Sequence, residues 1–156
     1  MMKQKTTYWE LTALGVVSLV IGVCAGAVDT FFGKILLSLS AFRDSHFLPL
    51  ILFLPIIGIC FTYLFQKYGD RSPQGMNLVF LVGHEEEKDI PLRLIPFVMV
   101  GTWLTHLFGG SAGREGVAVQ LGATIANRLG NWVRLEKYAS TLIMIGMAAG
   151  FAGLFE

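Results

Sequence analysis

Long apolar stretches separated by short polar ones make up most of the chain. Leu11 to Val28 carries no charge and, at about 1.5 Å per helical residue, is roughly one bilayer long. Gly22 and Gly26 give it a small-xxx-small face suited to close contact with another helix. The apolar character continues to Leu39, interrupted by Asp29 and Lys34, which are read as charges near a membrane boundary. Residues 40–47 form a short loop with Arg43, Asp44 and His46. A second span runs from Leu48 to Phe65, with Pro49 in its first turn and a kink expected at Pro55.

Gln66 to Arg93 is the most polar part of the chain. Inside it, Ser72-Pro73-Gln74-Gly75-Met76-Asn77 predicts a turn, and Leu78 to Val82 is apolar but far too short to cross a bilayer. It reads either as a re-entrant helix opened by a glycine turn or as a surface loop touching the membrane. A third apolar run, Leu94 to Gly113, is entered through Pro91 and Pro96. Gly116 to Asn127 is a short helix-period segment broken by Arg128, Asn131 and Arg134. Ala139 to Phe155 is the last apolar run, with Gly146 and Gly150 again at small-xxx-small spacing. The chain ends on Leu154-Phe155-Glu156 without a polar tail, which leads to the expectation that it is part of a larger protein.

The third run stops abruptly at Gly109-Gly110-Ser111-Ala112-Gly113-Arg114-Glu115-Gly116. Glycines let the backbone turn tightly here and leave its amides accessible. The next segment has Val117, Leu121 and Ile125 on one side, so Glu115 opens a helix whose first N–H groups and positive dipole end face the turn. Such a helix start is an anion site, and this one carries its own carboxylate. At membrane depth, broken helices survive only around a protein-lined cavity or pathway.

Composition agrees with a membrane reading. Of the 156 residues, 54% are hydrophobic and 15% charged, and mean hydropathy is +0.62. That is too apolar for an ordinary soluble domain. A net charge of +1 with no basic patch gives no sign of a nucleic-acid partner. Lys67, Arg71, Lys88 and Arg93 in the 66–93 loop outnumber the single Arg43 of the 40–47 loop. The excess puts residues 66–93 and the N-terminus in the cytoplasm of a multi-pass plasma-membrane protein. Lys3 and Lys5 before an apolar run, with Ala25-Gly26-Ala27 beyond, resemble a cleaved signal. The run is too long for one and more spans follow. Cys24 and Cys60 lie far apart in apolar runs and are expected to be buried free thiols.

Other chemistries find little support. His84-Glu85-Glu86-Glu87 lacks metal-ligand spacing, because consecutive positions do not share a helix face. His106, alone in an apolar run, is expected to bond to a neighbouring helix. His106 and Glu115 as an acid–base pair would lie on either side of the glycine break, with no nucleophile or metal set. The P-loop reading of residues 109–114 fails for want of a Gly-Lys-Ser/Thr end. Neither a metal nor a cofactor is expected. A structural membrane subunit would show the same spans but need no buried acid.

Gly113-Arg114-Glu115-Gly116-Val117, followed by Ala-Val-Gln-Leu-Gly, resembles the Gly-Lys/Arg-Glu-Gly-Pro signature of the CLC family of anion channels and proton-coupled antiporters. The resemblance covers most of the chain: two opening helices, a glycine turn about forty residues before the signature, and a glycine-rich helix, Gly146 to Phe155, after it. Val117 replaces the signature's Pro. Pro73-Gln74-Gly75-Met76-Asn77 stands where chloride-selective members have Gly-Ser-Gly-Ile-Pro. Both departures are similar to the fluoride-exporting branch.

The resemblance implies an all-α, multi-pass helical bundle with broken and re-entrant helices, and a homodimer in which each subunit has its own anion path. Each subunit would hold two inverted repeats. Residues 1–156 would be the first of them, the N-terminal portion of one transmembrane domain. Fluoride or chloride, together with protons, would be the substrates. The anion-binding positions would be Gly75, Met76, Asn77, Gly113, Arg114, Gly116 and Val117. Glu115 would be gate and proton carrier: ionised, it occupies the anion position; protonated, it releases it. The expected activity is fluoride/proton antiport, with a chloride channel or chloride/proton antiporter as the alternative.

Overall fold

The structure, a computed structural model, describes residues 8–155. Lys3, Lys5 and Glu156 therefore lie outside the described residues. Within them every regular element is helical. The first helix, α1, runs unbroken from Tyr8 to Ser45, and its 38 residues span about 57 Å at 1.5 Å each. The expected loop at 40–47 is thus helix as far as Ser45. No glycine or proline occurs between Lys34 and Leu48, so nothing local stops the helix. Val17, Ile21, Ala25, Asp29, Phe32 and Leu36 are its buried residues, recurring every three or four positions as one stripe. Asp29 therefore sits on the buried face of α1, with 3% of its surface exposed.

The second span is two helices, α2 at Phe47–Ile51 and α3 at Leu54–Tyr68. Pro55 opens α3, because a residue without an N–H is tolerated in a first turn. The chain then forms a 3-10 turn at Ser72–Gln74 and the short helix α4 at Met76–Gly83. Leu78, Val79 and Val82 of α4 pack with Ile90, Leu94, Ala123 and Ile143. The segment is a buried helix rather than a surface loop. Glu87 binds Arg71 at 2.7 Å, and the Ile90 N–H donates to Asn127 Oδ1 at 3.0 Å, which ties the segment after α4 down.

Helix α5 covers Leu94–Leu107, α6 Glu115–Trp132 and α7 Ala139–Ala152, with a 3-10 turn at Gly153–Phe155. α6 outruns its expected end at Asn127 and stops just before Arg134, which adopts φ +59°. It is the central helix. Ala123 joins the cluster under α4. Val117 and Leu121 pack with Phe32, Leu36 and Met99, and Ala126 packs with Val17, Ile21 and Leu142.

Backbone meets backbone where α6 crosses α7. A Cβ added at Gly122 would overlap the Gly146 carbonyl, one at Gly146 would overlap that of Gly122, and one at Gly150 would overlap that of Ala118. The small-xxx-small spacing of Gly146 and Gly150 is thus a helix contact, as expected. Gly22 and Gly26 differ: among the described residues nothing lies within 4 Å of a Cβ placed there, so that face is open to lipid or a partner. Of the two cysteines expected to be buried, Cys24 is half-buried and Cys60 exposed. His106 also departs from expectation, since its Nδ1 lies 2.9 Å from the Thr102 carbonyl of its own helix.

Among the described residues one helix, α1, is long and apolar enough to cross a membrane alone. α5 and α7 have 14 residues each, short of the roughly 20 a span needs. Large side chains stand exposed along α1 and α3, Leu19, Val23, Ile56 and Ile59 among them, as lipid-facing or partner-facing surfaces do.

Gly146→Val forces a branched side chain into the α6 backbone and is expected to destabilise the fold by at least about 1–3 kcal/mol. Gly15→Ala meets nothing within 4 Å and should leave stability unchanged or slightly raised. Thermal unfolding of the two purified variants compares them directly.

Candidate anion and proton site

The break before α6 is built by backbone hydrogen bonding. The Gly109 N–H donates to the His106 carbonyl at 3.2 Å and the Gly110 N–H to Thr105 at 2.8 Å, the paired bonds of a Schellman close. It needs a left-handed residue, and Gly109 supplies one at φ +82°. A Cβ there would also approach the Phe47 ring to 3.0 Å. Four residues of irregular chain follow, and Glu115 is the first residue of α6.

The first bond within that turn runs from the Ala118 N–H to the Arg114 carbonyl at 3.1 Å. The amides of Glu115, Gly116 and Val117 thus have no carbonyl of their own helix to bond. No side chain caps the helix. Gly113, Arg114 and Glu115 are exposed, and among the described residues neither the Arg114 guanidinium nor the Glu115 carboxylate has an ion pair or hydrogen bond. Space is open beside Gly116, where an added Cβ would meet nothing within 4 Å. Val117 is different. Its side chain is buried among Phe32, Leu36, Met99 and Leu121, so only its backbone amide is left for an anion.

A second helix start lies against the flank of α6. Gly75, at φ +56° and ψ −127°, leads into α4, whose first residue is Met76. Met76 packs partly into the cluster under α4, and Asn77 is exposed. Gln120, five residues into α6 from Glu115, places its Oε1 3.7 Å from where a Gly75 Cβ would be. The structure thus brings the Gly75–Met76 turn against the helix that Glu115 opens.

Among the described residues, Ser72 Oγ, Gln120 Oε1, Asn127 Nδ2 and both carboxylate oxygens of Asp29 are buried without a hydrogen-bond partner. Asp29 lies against Gly153, where an added Cβ would stand 3.0 Å from its Oδ2. Its place in the stripe from Val17 to Leu36 was the signal, an acid in register with the buried positions.

A model of the family described as voltage gated chloride channel matches residues 57–156. The chain belongs to this family. It is 35% identical over 137 residues to a chloride/fluoride channel protein of Pseudomonas syringae pv. tomato, covering 86% of this chain and 30% of the relative. It is 29% identical over 147 residues to an uncharacterized protein of Methanocaldococcus jannaschii, covering 92% of this chain and 34% of that one. A crystal structure of a CLC-type fluoride/proton antiporter superposes with a TM-score of 0.94 at 95% identity, over 97% of this chain and 38% of that chain. The chain therefore spans about a third of the length of these relatives. The all-α, CLC-type fold expected from the sequence is the one observed.

Gly75→Ala tests whether the α4 turn must be a glycine. An L side chain at this φ and ψ is strained by about 1–3 kcal/mol. The variant should unfold at a lower temperature than the parent protein, and by more than Asn77→Ala, which removes an exposed side chain.

Proposed function

We propose that the chain is the first inverted repeat of a fluoride/proton antiporter that exports fluoride across the plasma membrane as a homodimer. Glu115 alternates in it between plugging the anion site and carrying a proton. One observation carries the reading: an unpaired carboxylate at the first residue of α6, beside amides with no helical partner and the exposed Gly113. The 95% identity to a CLC-type fluoride/proton antiporter supports it.

Ionised, the Glu115 carboxylate competes for the same donors as an incoming anion. Protonated, it loses that attraction and leaves them free. One group then cannot hold the proton and fill the anion position together, which is the minimum that exchange requires. Gly113, Gly116, Val117, Gly75 and Met76 contribute backbone donors and shape at the two helix starts. Arg114 adds positive charge and Asn77 an exposed amide. Passive conduction of chloride or fluoride is the second reading, favoured by the name of the Pseudomonas syringae relative.

In the full-length protein reconstituted in liposomes, Glu115→Gln should abolish proton uptake driven by a fluoride gradient. Folding should change little, since a charge at an exposed helix start contributes about 0.3–1 kcal/mol. Proton movement that survives in this variant would reduce Glu115 to a helix-capping acid. A wild-type protein that moves fluoride without protons would favour the channel. Orientation is tested separately: cysteine at Lys88 should label from the cytoplasmic side and cysteine at His46 from outside.

A further inference from the structure

A polar pocket of about 360 Å³ opens beside the last turns of α6, and none of its lining residues belongs to either helix start. Asn127 lines it and is 4% exposed. Its Oδ1 accepts the Ile90 N–H at 3.0 Å. A backbone N–H can only donate, so this bond decides which end of the amide is oxygen. The NH2 end is thereby fixed as well. Its nitrogen is buried and has no hydrogen-bond partner. Buried polar groups are nearly always bonded, and a donor left unpaired costs stability until an acceptor meets it.

Charges of both signs surround that donor. Arg93, Arg128, Asp70 and Asp89 line the same pocket. Arg93 donates to the Tyr68 carbonyl at 3.2 Å, and Asp89 lies 3.8 Å from Arg71. Arg128 and Asp70 are exposed, and neither side chain has an ion pair or hydrogen bond among the described residues. Guanidinium groups match the geometry of a phosphate, and the Asn127 NH2 donates to one without adding charge. Two positive and two negative side chains leave no net attraction for a free multivalent anion. A ligand that carries a phosphate and an ammonium side by side meets opposite charge at both ends.

The place of the pocket in the chain supplies the source of such a ligand. Leu92 lines it and is 47% exposed, and the apolar helix α5 begins two residues later at Leu94. The polar stretch ends and the membrane-embedded part starts at this point, which is headgroup depth. We propose that the pocket binds the phosphoethanolamine headgroup of a membrane phospholipid. The phosphate accepts from Asn127, Arg93 and Arg128, and the ammonium donates to Asp70 and Asp89. Because Asn127 also ties Ile90 to α6, a bound headgroup completes the anchor of the segment that follows α4. Lipid then steadies the protein from the side, apart from the ions it carries.

The test uses the full-length protein purified in detergent. Native mass spectrometry reads the lipid it retains from an equimolar mixture of phosphatidylethanolamine, phosphatidylglycerol and phosphatidylcholine. Wild type should hold phosphatidylethanolamine severalfold more than either other lipid, since phosphatidylglycerol has no ammonium and the choline nitrogen has no N–H. Arg128→Gln should weaken that retention by up to about tenfold. Asp70→Asn suits the φ of +55° at this position and should erase most of the preference over phosphatidylglycerol. A merely structural role for either side chain would lower the yield of folded protein but leave the lipid preference unchanged. Equal retention of the three lipids by wild type would overturn the proposal. So would preferences within twofold of wild type in both variants. Glycerophosphoethanolamine, which has no acyl chains, should displace the lipid only in large excess. Displacement at equal concentration would make the ligand a soluble one and overturn the membrane source.

Discussion

The close approach of α6 and α7 sets everything else. In a bilayer, apolar side chains gain little by leaving lipid for one another, so helices associate through van der Waals packing, favoured by small residues that let backbones touch. Ala118, Gly122, Gly146 and Gly150 make that seam. It fixes α6 in the middle of three apolar clusters. It grips α6 from Ala118 onward, one turn beyond Glu115. The consequence is a division of labour along a single helix. Residues from Val117 on are held by packing, while the side chains of Arg114 and Glu115 make no hydrogen bond or ion pair among the described residues. A side chain that must change position between charge states is best placed where nothing in the fold depends on it.

The second helix start is held by different means. α4 is only eight residues long, too short to be stable alone, and it is held by the apolar packing of Leu78, Val79 and Val82. The Arg71–Glu87 pair is about two-fifths exposed on each side, so it contributes about 0–1 kcal/mol. The bond from the Ile90 amide to Asn127 is buried and is the better anchor, since it satisfies a backbone donor that burial would otherwise strand. Both starts thus rest on α6, one as its own end and the other through its flank. That shared support keeps their spacing constant.

Much of this was legible in the chain because the signals were local. The glycine crowd at 109–116 and the change of hydrophobic period after it located the helix start at Glu115. Gly146 and Gly150 announced a close contact by spacing alone. Other features depended on partners far away in sequence. Asp29 reads as an interfacial charge until Gly153, 124 positions later, is seen against it. Gln120 reads as one polar residue on an apolar helix until the Gly75 turn is placed opposite. The loop expected at 40–47 is helix as far as Ser45 for a simpler reason: three polar residues do not break a helix where no glycine or proline enforces it. His46 alone interrupts the helices there. Val117, one of the anion-binding positions the resemblance implies, lies on the buried face with Leu121, as helical periodicity already indicates, so its backbone amide is the group open to an anion.

Electrostatics says what the proposed exchange asks of Glu115. Two unit negative charges 4 Å apart repel by about 4 kcal/mol at an effective dielectric constant of 20. On that reading, an ionised Glu115 and an anion at the same amides exclude each other about a thousandfold, and the site holds one or the other. Protonation removes the repulsion, so one group couples the two ions without a second titrating residue. Such coupling needs the amides to stay in place while the side chain moves, and the glycine seam between α6 and α7 holds the helix that carries them.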